Sequence, residues 1–369
     1  MAPAQMNSFQ FGIEIEVLVR SLGKQHGTWA TLSKELSRRL KSVGVPNSIQ
    51  GNDNYREWSI VRELTVQSDN PYDYGVELVS PIYAASSLSA LHDDLQKIFT
   101  ALINPSSSSS NKHKHYYTLL PTPQCSSHVH ISSSSCTHHH HHPYHYPSPC
   151  FSPTELAGLA KAALYFEHAL DQLMPPERRD GEAYWAKSNR SRDNPSLAGL
   201  SLAQCLAKID TAVADPCGDI RPIIEVMNLY SKDTNFARAR GRRADFIRGK
   251  TYRWNLAGLL AAAGERKAED MDCGGLGTIE FRQPPGSLTA EDAMSWATLA
   301  VAFVAAGVAY GRELGRGEDT VTEVWRGEEG GSLAELWEFL KGGCLALGWD
   351  ELVPLRVLFA RTGLDVDVA

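Results

Sequence analysis

Apolar and polar residues alternate strictly at the start of the chain. The odd-numbered positions from Phe9 to Val19 are all apolar, and the even-numbered positions between them include Glu14 and Glu16. A period of two predicts a β-strand over residues 9–20 with one face in the core. The two glutamates then share the opposite face, which on its own is typical of a half-exposed strand facing water.

Four further segments show the same alternation and place polar, chemically active side chains on one face. A single carboxylate inside an apolar strand is costly unless it is paired or bound to a metal ion. Where a segment carries two such side chains, they are two residues apart and so share a face. The segments are 75–81 with Glu77, 127–131 with His128 and His130, 250–255 with Arg253 and Asn255, and 278–282 with Glu280 and Arg282.

Helices are marked by apolar stripes with a period near 3.6 and by capping residues at their starts. Leu32, Leu36 and Leu40 form one stripe, and residues 88–102 carry another. The apolar stretch 296–310 is too short to span a bilayer comfortably, so we interpret it as part of a buried helix. Capping signals stand at Ser152 with Glu155, at Thr289 with Asp292, and at Ser332 with Glu335.

Two low-complexity segments interrupt these patterns. Residues 106–115 and 132–149 are rich in serine and histidine and lack apolar periodicity, so both are predicted as mobile loops. The run His138 to His142 suggests a metal site, although a histidine tract in a loop implies no fixed geometry. We predict a catalytic domain over residues 1–320 with disordered insertions near 104–126 and 132–150, followed by a helical extension over 321–369.

Composition and charge limit the class of protein. The chain has 369 residues, is 43% hydrophobic and carries a formal net charge of −7, which argues against a nucleic-acid partner. Seven cysteines without a CxxC pair argue against a disulfide framework. The N-terminus reaches charged strand sequence before an apolar segment develops, so no secretory signal is expected. A cytoplasmic protein with no membrane partner is predicted.

If the polar faces of the five strands line one curved sheet, the hollow holds four glutamates, two histidines and two arginines. Clustered glutamates repel one another unless cations compensate them. A glutamate-rich site with few nitrogen ligands favours Mg²⁺ or Mn²⁺ over Zn²⁺. Arginines beside it suit phosphate or carboxylate recognition, and the chain has no P-loop that would bind nucleotide instead.

In chain order, FGIEIE, GVELVSPIY, SSHVHIS, KTYRWNLAGL and GTIEFRQPPGSL, followed by a helix that carries Trp296, resemble the amidoligase family, relatives of glutamine synthetase and glutamate-cysteine ligase. The resemblance covers residues from about 9 to about 310. It implies an α+β fold in which a curved, mostly antiparallel sheet lines the active site and helices pack on its outer face. It also implies a ligase that uses ATP and Mg²⁺ or Mn²⁺ to join a carboxylate to an amine through an acyl-phosphate intermediate.

The resemblance also implies roles for individual residues. Metal ligands would be Glu14, Glu16, Glu77, His128 and Glu280. The nucleotide would be bound by His130, Arg253, Asn255 and Arg282, and the catalytic residues would be Arg282, Arg253 and Glu63. Substrates would be small-molecule or peptide carboxylates and amines, and a homo-oligomer is possible in this superfamily.

Two departures from the family pattern leave alternatives open. Glu63 keeps the acidic charge expected after the Trp58 strand, but the glycine that usually follows is absent; a glycine is also missing before the histidine strand, where Cys125 to Ser127 stand. A catalytically silent nucleotide-binding or metal-binding relative is therefore one alternative, and a metal-dependent hydrolase is the other. Residues 185–195, which include Lys187 and Arg190, are predicted as a polar surface connection, with a substrate loop as the alternative.

Overall fold

A computed structural model describes residues 9–22, 25–51, 55–103, 117–134, 151–179, 186–214, 218–263, 277–315, 325, 329–350 and 352–364. The chain divides into two compact units. The smaller unit comprises Gln10–Val129 and Pro284–Thr298, and the larger comprises Met1–Phe9, His130–Gln283 and Leu299–Ala369. The structure is mixed α+β, with strand pairs that are mostly antiparallel.

The first seven strands are β1 Phe9–Ser21, β2 Asn47–Ile49, β3 Trp58–Arg62, β4 Asp73–Val79, β5 Tyr83–Ala84, β6 Tyr117–Leu120 and β7 Ser127–Ser133. They belong to the smaller unit, except that Phe9 of β1 and the part of β7 from His130 onward belong to the larger one. β4 pairs antiparallel with β1 on one side and with β3 on the other, and β2 adds to β3 in parallel. β5 and β6 pair with the two ends of β1. The predicted alternation in β1 is confirmed, because the odd-numbered side chains are buried.

Helices α1 (Trp29–Ser42) and α2 (Leu88–Ile103) lie wholly within the smaller unit. α1 packs against β2 and β3, and α2 packs against β5 and β6. Both predicted apolar stripes are confirmed as core faces. The buried residues include Leu32, Leu36 and Leu40 on α1, and Leu91, Leu95, Ile98, Phe99 and Leu102 on α2. The two helices therefore cover apolar surface of the smaller unit. The glutamates of β1 and β4 are not part of that apolar surface.

The larger unit is mainly helical, with α3 Pro153–Tyr165, α4 Glu167–Leu173, α5 Pro176–Arg179, α6 Leu202–Val213, α7 Arg221–Asn228, α8 Asn235–Ala239, α9 Ala290–Gly315, α10 Leu333–Leu347 and α11 Val353–Ala360. α9 begins in the smaller unit and continues into the larger one. The strands β8 to β11 of the larger unit are short. β8 Leu229–Tyr230 pairs with β9 Phe246–Ile247, and β10 Trp254–Asn255 pairs with β11 Ile279–Phe281. The capping boxes at Ser152 and Ser332 are both formed as predicted.

Close helix packing shapes the core of the larger unit. A Cβ atom added to Gly158 on α3 would lie 2.4 Å from the carbonyl oxygen of Gly307 on α9, so the two helix backbones touch. Trp254 stacks on Phe281 and on Phe303, which joins β10 and β11 to α9. Among the described residues α9 is long and apolar enough to cross a membrane, but 94% of its most apolar window is buried inside the protein. The prediction of a buried helix is confirmed, and the helix extends beyond the apolar stretch.

Three predictions differ from the structure. Residues 250–255 do not form one strand: Gly249–Thr251 is a 3₁₀ turn and only Trp254–Asn255 pairs, which makes that strand prediction wrong. The first predicted insertion, 104–126, is too long, because Tyr117–Leu120 forms β6. The predicted domain boundary near 320 does not match the two units, since residues 299–369 belong to one of them. The run His138 to His142 lies outside the described residues.

Candidate functional site

A cluster of three carboxylates lies in the smaller unit. Glu16 on β1 is directly opposite Glu77 on β4 in the antiparallel register. Glu63, which follows β3, joins them, and one oxygen of each of the three carboxylates lies within 4.8 Å of the others. Glu16 is 7% exposed, so little water screens its charge. Like charges directly opposite one another on a sheet are unfavourable, and a divalent cation between the carboxylates would reverse that cost.

Glu16 is oriented by a residue that the sequence did not single out. Its Oε2 atom accepts a hydrogen bond from the Ser126 hydroxyl at 2.5 Å and another from the Ser126 amide at 3.0 Å. The backbone at Gly286 packs closely against Glu16 and Cys125. A Cβ atom added to Gly286 would lie 2.6 Å from the Glu16 carbonyl oxygen and 2.5 Å from Cys125 Cβ. One carboxylate oxygen of Glu16 is therefore committed to Ser126, and the carboxylate as a whole has a fixed orientation.

Glu63 is also oriented locally. Its Oε1 atom accepts hydrogen bonds from the Thr65 amide at 2.6 Å and from the Thr65 hydroxyl at 2.5 Å. Thr65 thus fixes the turn that follows β3. The sequence predicts Glu63 as a catalytic residue and not as a metal ligand. The structure groups its carboxylate with those of Glu16 and Glu77, a pairing that depends on the registers of β3, β4 and β1.

A further carboxylate and an imidazole lie close together in the smaller unit. Nδ1 of His128 lies 3.3 Å from Oε2 of Glu14, and the His128 side chain is buried. The strand that carries His128 is tied down beside it, because the hydroxyls of Ser127 and Ser287 are 2.7 Å apart and Ser127 Oγ accepts from the Ser287 amide at 3.1 Å. Five of the predicted site residues therefore belong to one unit: Glu14, Glu16, Glu63, Glu77 and His128.

The larger unit holds the other five predicted site residues, and four of them form a network: His130, Asn255, Glu280 and Arg282. One oxygen of Glu280 is bonded to Nη1 of Arg282 and lies 3.5 Å from Nε2 of His130. The other accepts a hydrogen bond from Asn255 Nδ2 at 2.7 Å. His130 Nδ1 in turn lies 3.1 Å from the hydroxyl of Thr278. The network combines one carboxylate with a guanidinium, an imidazole and an amide.

Arg282 has donor capacity left over. The residue is 8% exposed, and its Nε atom is buried with no hydrogen-bond partner among the described residues. Leaving a buried charged donor unsatisfied is costly, so an anionic oxygen at this place would be stabilising. The Arg282 Nε atom, which lacks a partner among the described residues, and the imidazole of His130 in the same network are suited to bind the oxygens of a phosphate group.

Arg253 has a different environment from the one predicted. Its Nη1 atom contacts Glu167 at 3.1 Å and Asp171 at 2.8 Å, and its Nε and Nη2 atoms donate to the carbonyl oxygens of Ala186 and Arg179. The predicted common face with Asn255 is wrong, because Asn255 bonds Glu280 while Arg253 bonds helix α4. We therefore do not assign Arg253 to the phosphate.

Residues 185–195, predicted as a surface connection, include a buried residue that hydrogen-bonds to β10. Asn189 is 3% exposed, accepts from the Trp254 amide and donates to the carbonyl oxygens of Trp254 and Met227. Lys187 pairs with Asp193. This segment thus fixes the position of β10, and its residues Ser188 and Arg190 line a pocket.

The described cysteines, Cys125, Cys205 and Cys344, are buried free thiols. Burial raises the pKa of the Cys344 thiol to about 12 and also raises the pKa of the Cys125 thiol, so neither is a thiolate near neutral pH. Among the cysteines that the structure describes, none is a candidate nucleophile. The chemistry of the site therefore depends on carboxylates, imidazoles and guanidiniums.

No protein-family model and no curated protein sequence matches the chain. Among solved structures, the chain is similar to a bifunctional glutathione synthetase from Pasteurella multocida, at 12% sequence identity and a TM-score of 0.32. The match covers 96% of this chain and 46% of that enzyme, so the chain spans less than half of its length. A likeness of this size carries no argument about activity.

Proposed function

We propose that this protein is an ATP-dependent carboxylate–amine ligase with a glutamine synthetase-like fold. In the proposed reaction a carboxylate oxygen attacks the γ-phosphorus of ATP, and the bridging oxygen leaves with ADP. The amine nitrogen then attacks the acyl carbon, the C–O bond to phosphate breaks, and the amine loses a proton to a base. The products are an amide, ADP and phosphate.

The observation that carries this proposal is the placement of Glu16 opposite Glu77, with Glu63 beside them. Carboxylate oxygens are the ligands that Mg²⁺ and Mn²⁺ prefer, so the donor set fits either ion. We assign the metal site to these three residues, with Glu14 and His128 as further candidate ligands. A divalent ion bound there would neutralise charge on the ATP phosphates.

The metal role of Glu280 stays a prediction. In the larger unit both of its oxygens are already engaged, one by Arg282 and the other by Asn255. Within our proposal Glu280 and Asn255 orient Arg282, and Asn255 acts by fixing Glu280 instead of contacting nucleotide directly.

The phosphate role is assigned to Arg282 and His130. The buried Nε of Arg282 has no partner among the described residues, so it is available to an oxygen of the transferred phosphoryl group. A guanidinium in this role stabilises the charge that develops during phosphoryl transfer. His130, held by Thr278, would add a second donor to the same group. We assign no base for the proton of the amine.

The experiment that tests the function is ADP release by the full-length protein with ATP and Mg²⁺ across a panel of carboxylates and amines. We expect release that requires both an acid and an amine. Glu16→Gln is expected to lower that release by about 100-fold or more. Asp93→Asn, an exposed charge change on α2 in the same unit, is the matched control and should leave the rate unchanged.

The same assay separates the alternatives. Turnover of an amide or ester without ATP would support a metal-dependent hydrolase. Nucleotide binding with no ADP release under any pairing would support a silent relative. ADP release that persists unchanged in Glu16→Gln, Glu77→Gln and Glu14→Gln would contradict the metal assignment.

A further inference from the structure

A polar pocket in the larger unit is lined by none of the groups assigned to metal and phosphate. It has a volume of about 240 Å³, and its polar lining residues include Glu167, His168, Asp171, Ser188, Arg190, Arg253 and Glu329. Pockets for drug-sized ligands usually measure roughly 300–1,000 Å³. A pocket of this size and polarity suits a small, charged metabolite.

One wall of the pocket carries excess negative charge. Glu167 and Asp171, both on α4, share the single guanidinium of Arg253, which contacts one oxygen of each. Gln283 donates to the same oxygen of Asp171 at 2.6 Å. The second oxygen of each carboxylate has no hydrogen-bond partner in the part of the chain that the structure describes.

The charge on this wall is poorly solvated. Burial raises the pKa of Asp171, and the neighbouring Glu167 carboxylate adds to that effect, while Arg253 opposes it. Two carboxylates facing one guanidinium leave one negative charge to be compensated. A primary ammonium group, with one positive charge and three N–H donors, matches the two open oxygens.

Arg190 brings a positive charge to the pocket. Its Nη2 atom donates to the carbonyl oxygen of Leu200 at 3.2 Å, and no carboxylate pairs with it among the described residues. Ser188 lies next to it, with its Oγ accepting from the Arg190 amide at 3.0 Å. A guanidinium without an acidic partner and a neighbouring hydroxyl together suit a carboxylate ligand.

We propose that this pocket binds the zwitterion of a small α-amino acid, with its ammonium group at Glu167 and Asp171 and its carboxylate at Arg190 and Ser188. An internal ion-pair cluster accounts for Arg253 and its two acids. It does not account for an open pocket in which Arg190 lacks an acidic partner. The inference goes beyond the proposed ligase activity, because binding at this pocket requires neither ATP nor metal.

The test is isothermal titration calorimetry on the full-length protein in EDTA and without nucleotide. Glycine, L-alanine, L-serine and L-glutamate are the probes, with ethylamine and propionate as the analogues of alanine that lack one charged group. We expect at least one amino acid to bind with a dissociation constant of about 1 mM or lower. Its analogues without the amino or the carboxyl group should bind at least about tenfold more weakly.

Variants on the two walls give an independent check. Glu167→Gln and Arg190→Gln should each weaken amino-acid binding at least about tenfold. Glu177→Gln on α5 and Arg243→Gln, both exposed, are the matched controls and should bind as the wild type does. Circular dichroism melting shows whether each variant is folded, and the analogue series on the wild type does not depend on any variant.

Three results would overturn the proposal: no binding of any probe up to about 10 mM, analogues that bind as tightly as the amino acid, or folded wall variants that bind normally. Failure here is distinct from failure of the ligase assignment. If the protein binds an amino acid but releases no ADP, the pocket assignment stands and the ligase assignment fails. If it releases ADP but binds no amino acid in EDTA, the ligase assignment stands and the pocket assignment fails.

Discussion

Glu16 and Glu77 are paired residue against residue across β1 and β4, and each is placed there by the strand register. In the absence of a cation this pairing should cost stability. We predict that Glu77→Gln stabilises the protein in EDTA by up to about 1 kcal/mol, because it removes a like-charge pair. The same change should reduce the rise in melting temperature on adding Mn²⁺, since metal binding to the native state is what stabilises it.

Melting curves in EDTA and in Mn²⁺ check this prediction, with Asp93→Asn as the control that should behave as the wild type in both. If Glu77→Gln lowered the melting temperature in EDTA and kept the full Mn²⁺ response, the two carboxylates would not form a cation site.

Ser126 is predicted to position Glu16 without contacting the metal. Ser126→Ala removes the hydroxyl that donates to Glu16 at 2.5 Å but keeps the amide that donates at 3.0 Å. We expect Mn²⁺ affinity, measured by calorimetry, to fall about 10-fold, which is typical of losing a group that orients a ligand. Ser89→Ala, an exposed serine on α2, should leave the affinity unchanged. Unchanged affinity in Ser126→Ala would show that the hydroxyl does not position the ligand.

Arg282 should be irreplaceable by lysine if it binds phosphate through its guanidinium. Lysine keeps the positive charge but cannot supply the fixed fork of donors. We predict that Arg282→Lys and Arg282→Gln both lower the rate of ADP release by about 100-fold or more, while Mn²⁺ affinity changes little. Arg240→Lys, an exposed replacement in the same unit, is the control. Full activity of Arg282→Lys would mean that charge alone suffices there.

Asp73 should make stability depend on pH in the acid range. Arg20 donates to its carboxylate at 2.6 Å and 3.0 Å, and these hydrogen bonds, with one from Ser68, lower the pKa of Asp73 against the opposing effect of burial. A carboxyl whose folded pKa is lowered contributes stability above its unfolded pKa of about 3.9, and loses that contribution as pH falls through the folded value.

Asp73→Asn should therefore destabilise the protein at pH 7, and the difference from the wild type should shrink as the pH falls below about 4. Urea unfolding at a series of pH values measures it. A difference that is constant from pH 7 to about pH 3 would contradict this account of Asp73.

Two helical glycines make a matched pair for stability. Gly158 faces the backbone of α9, where an added Cβ would lie 2.4 Å from a carbonyl oxygen, whereas a Cβ at Gly342 on α10 would have no atom within 4 Å. Gly342→Ala should stabilise the protein by about 0.5–1 kcal/mol through helix propensity. Gly158→Ala should destabilise it by about 1–3 kcal/mol, because α3 and α9 must separate. Thermal melting of both variants checks the signs, and the prediction fails if they agree.

Helix starts were predictable from sequence because they depend on residues three or four positions apart. Ser152 with Glu155 and Ser332 with Glu335 form the expected capping boxes, and Thr289 accepts from the Asp292 amide at 3.1 Å. The apolar stripes of α1 and α2 were predictable for the same reason. A periodic pattern within one segment specifies which face is buried, whatever that face packs against.

The alternation over residues 250–255 predicted one continuous strand that the structure does not contain. Alternation gives the preferred face of a strand but not whether a partner strand extends along it, and within residues 250–255 only Trp254 and Asn255 pair with β11. Arg253 then finds its acidic partners on α4, more than 80 residues away in the sequence. No local signal connects Arg253 to that helix.

What the sequence determined by itself is the alternation that sets Glu14 and Glu16 on one strand face and Glu280 with Arg282 near another, together with the caps and stripes of the helices. Tertiary structure alone decided that Glu63 stands with Glu16 and Glu77, that Ser126 holds Glu16, and that α4 supplies a pocket with Arg190. The reason is physical: side-chain direction follows from backbone geometry over a few residues, whereas the neighbour of a side chain follows from register and packing between distant segments.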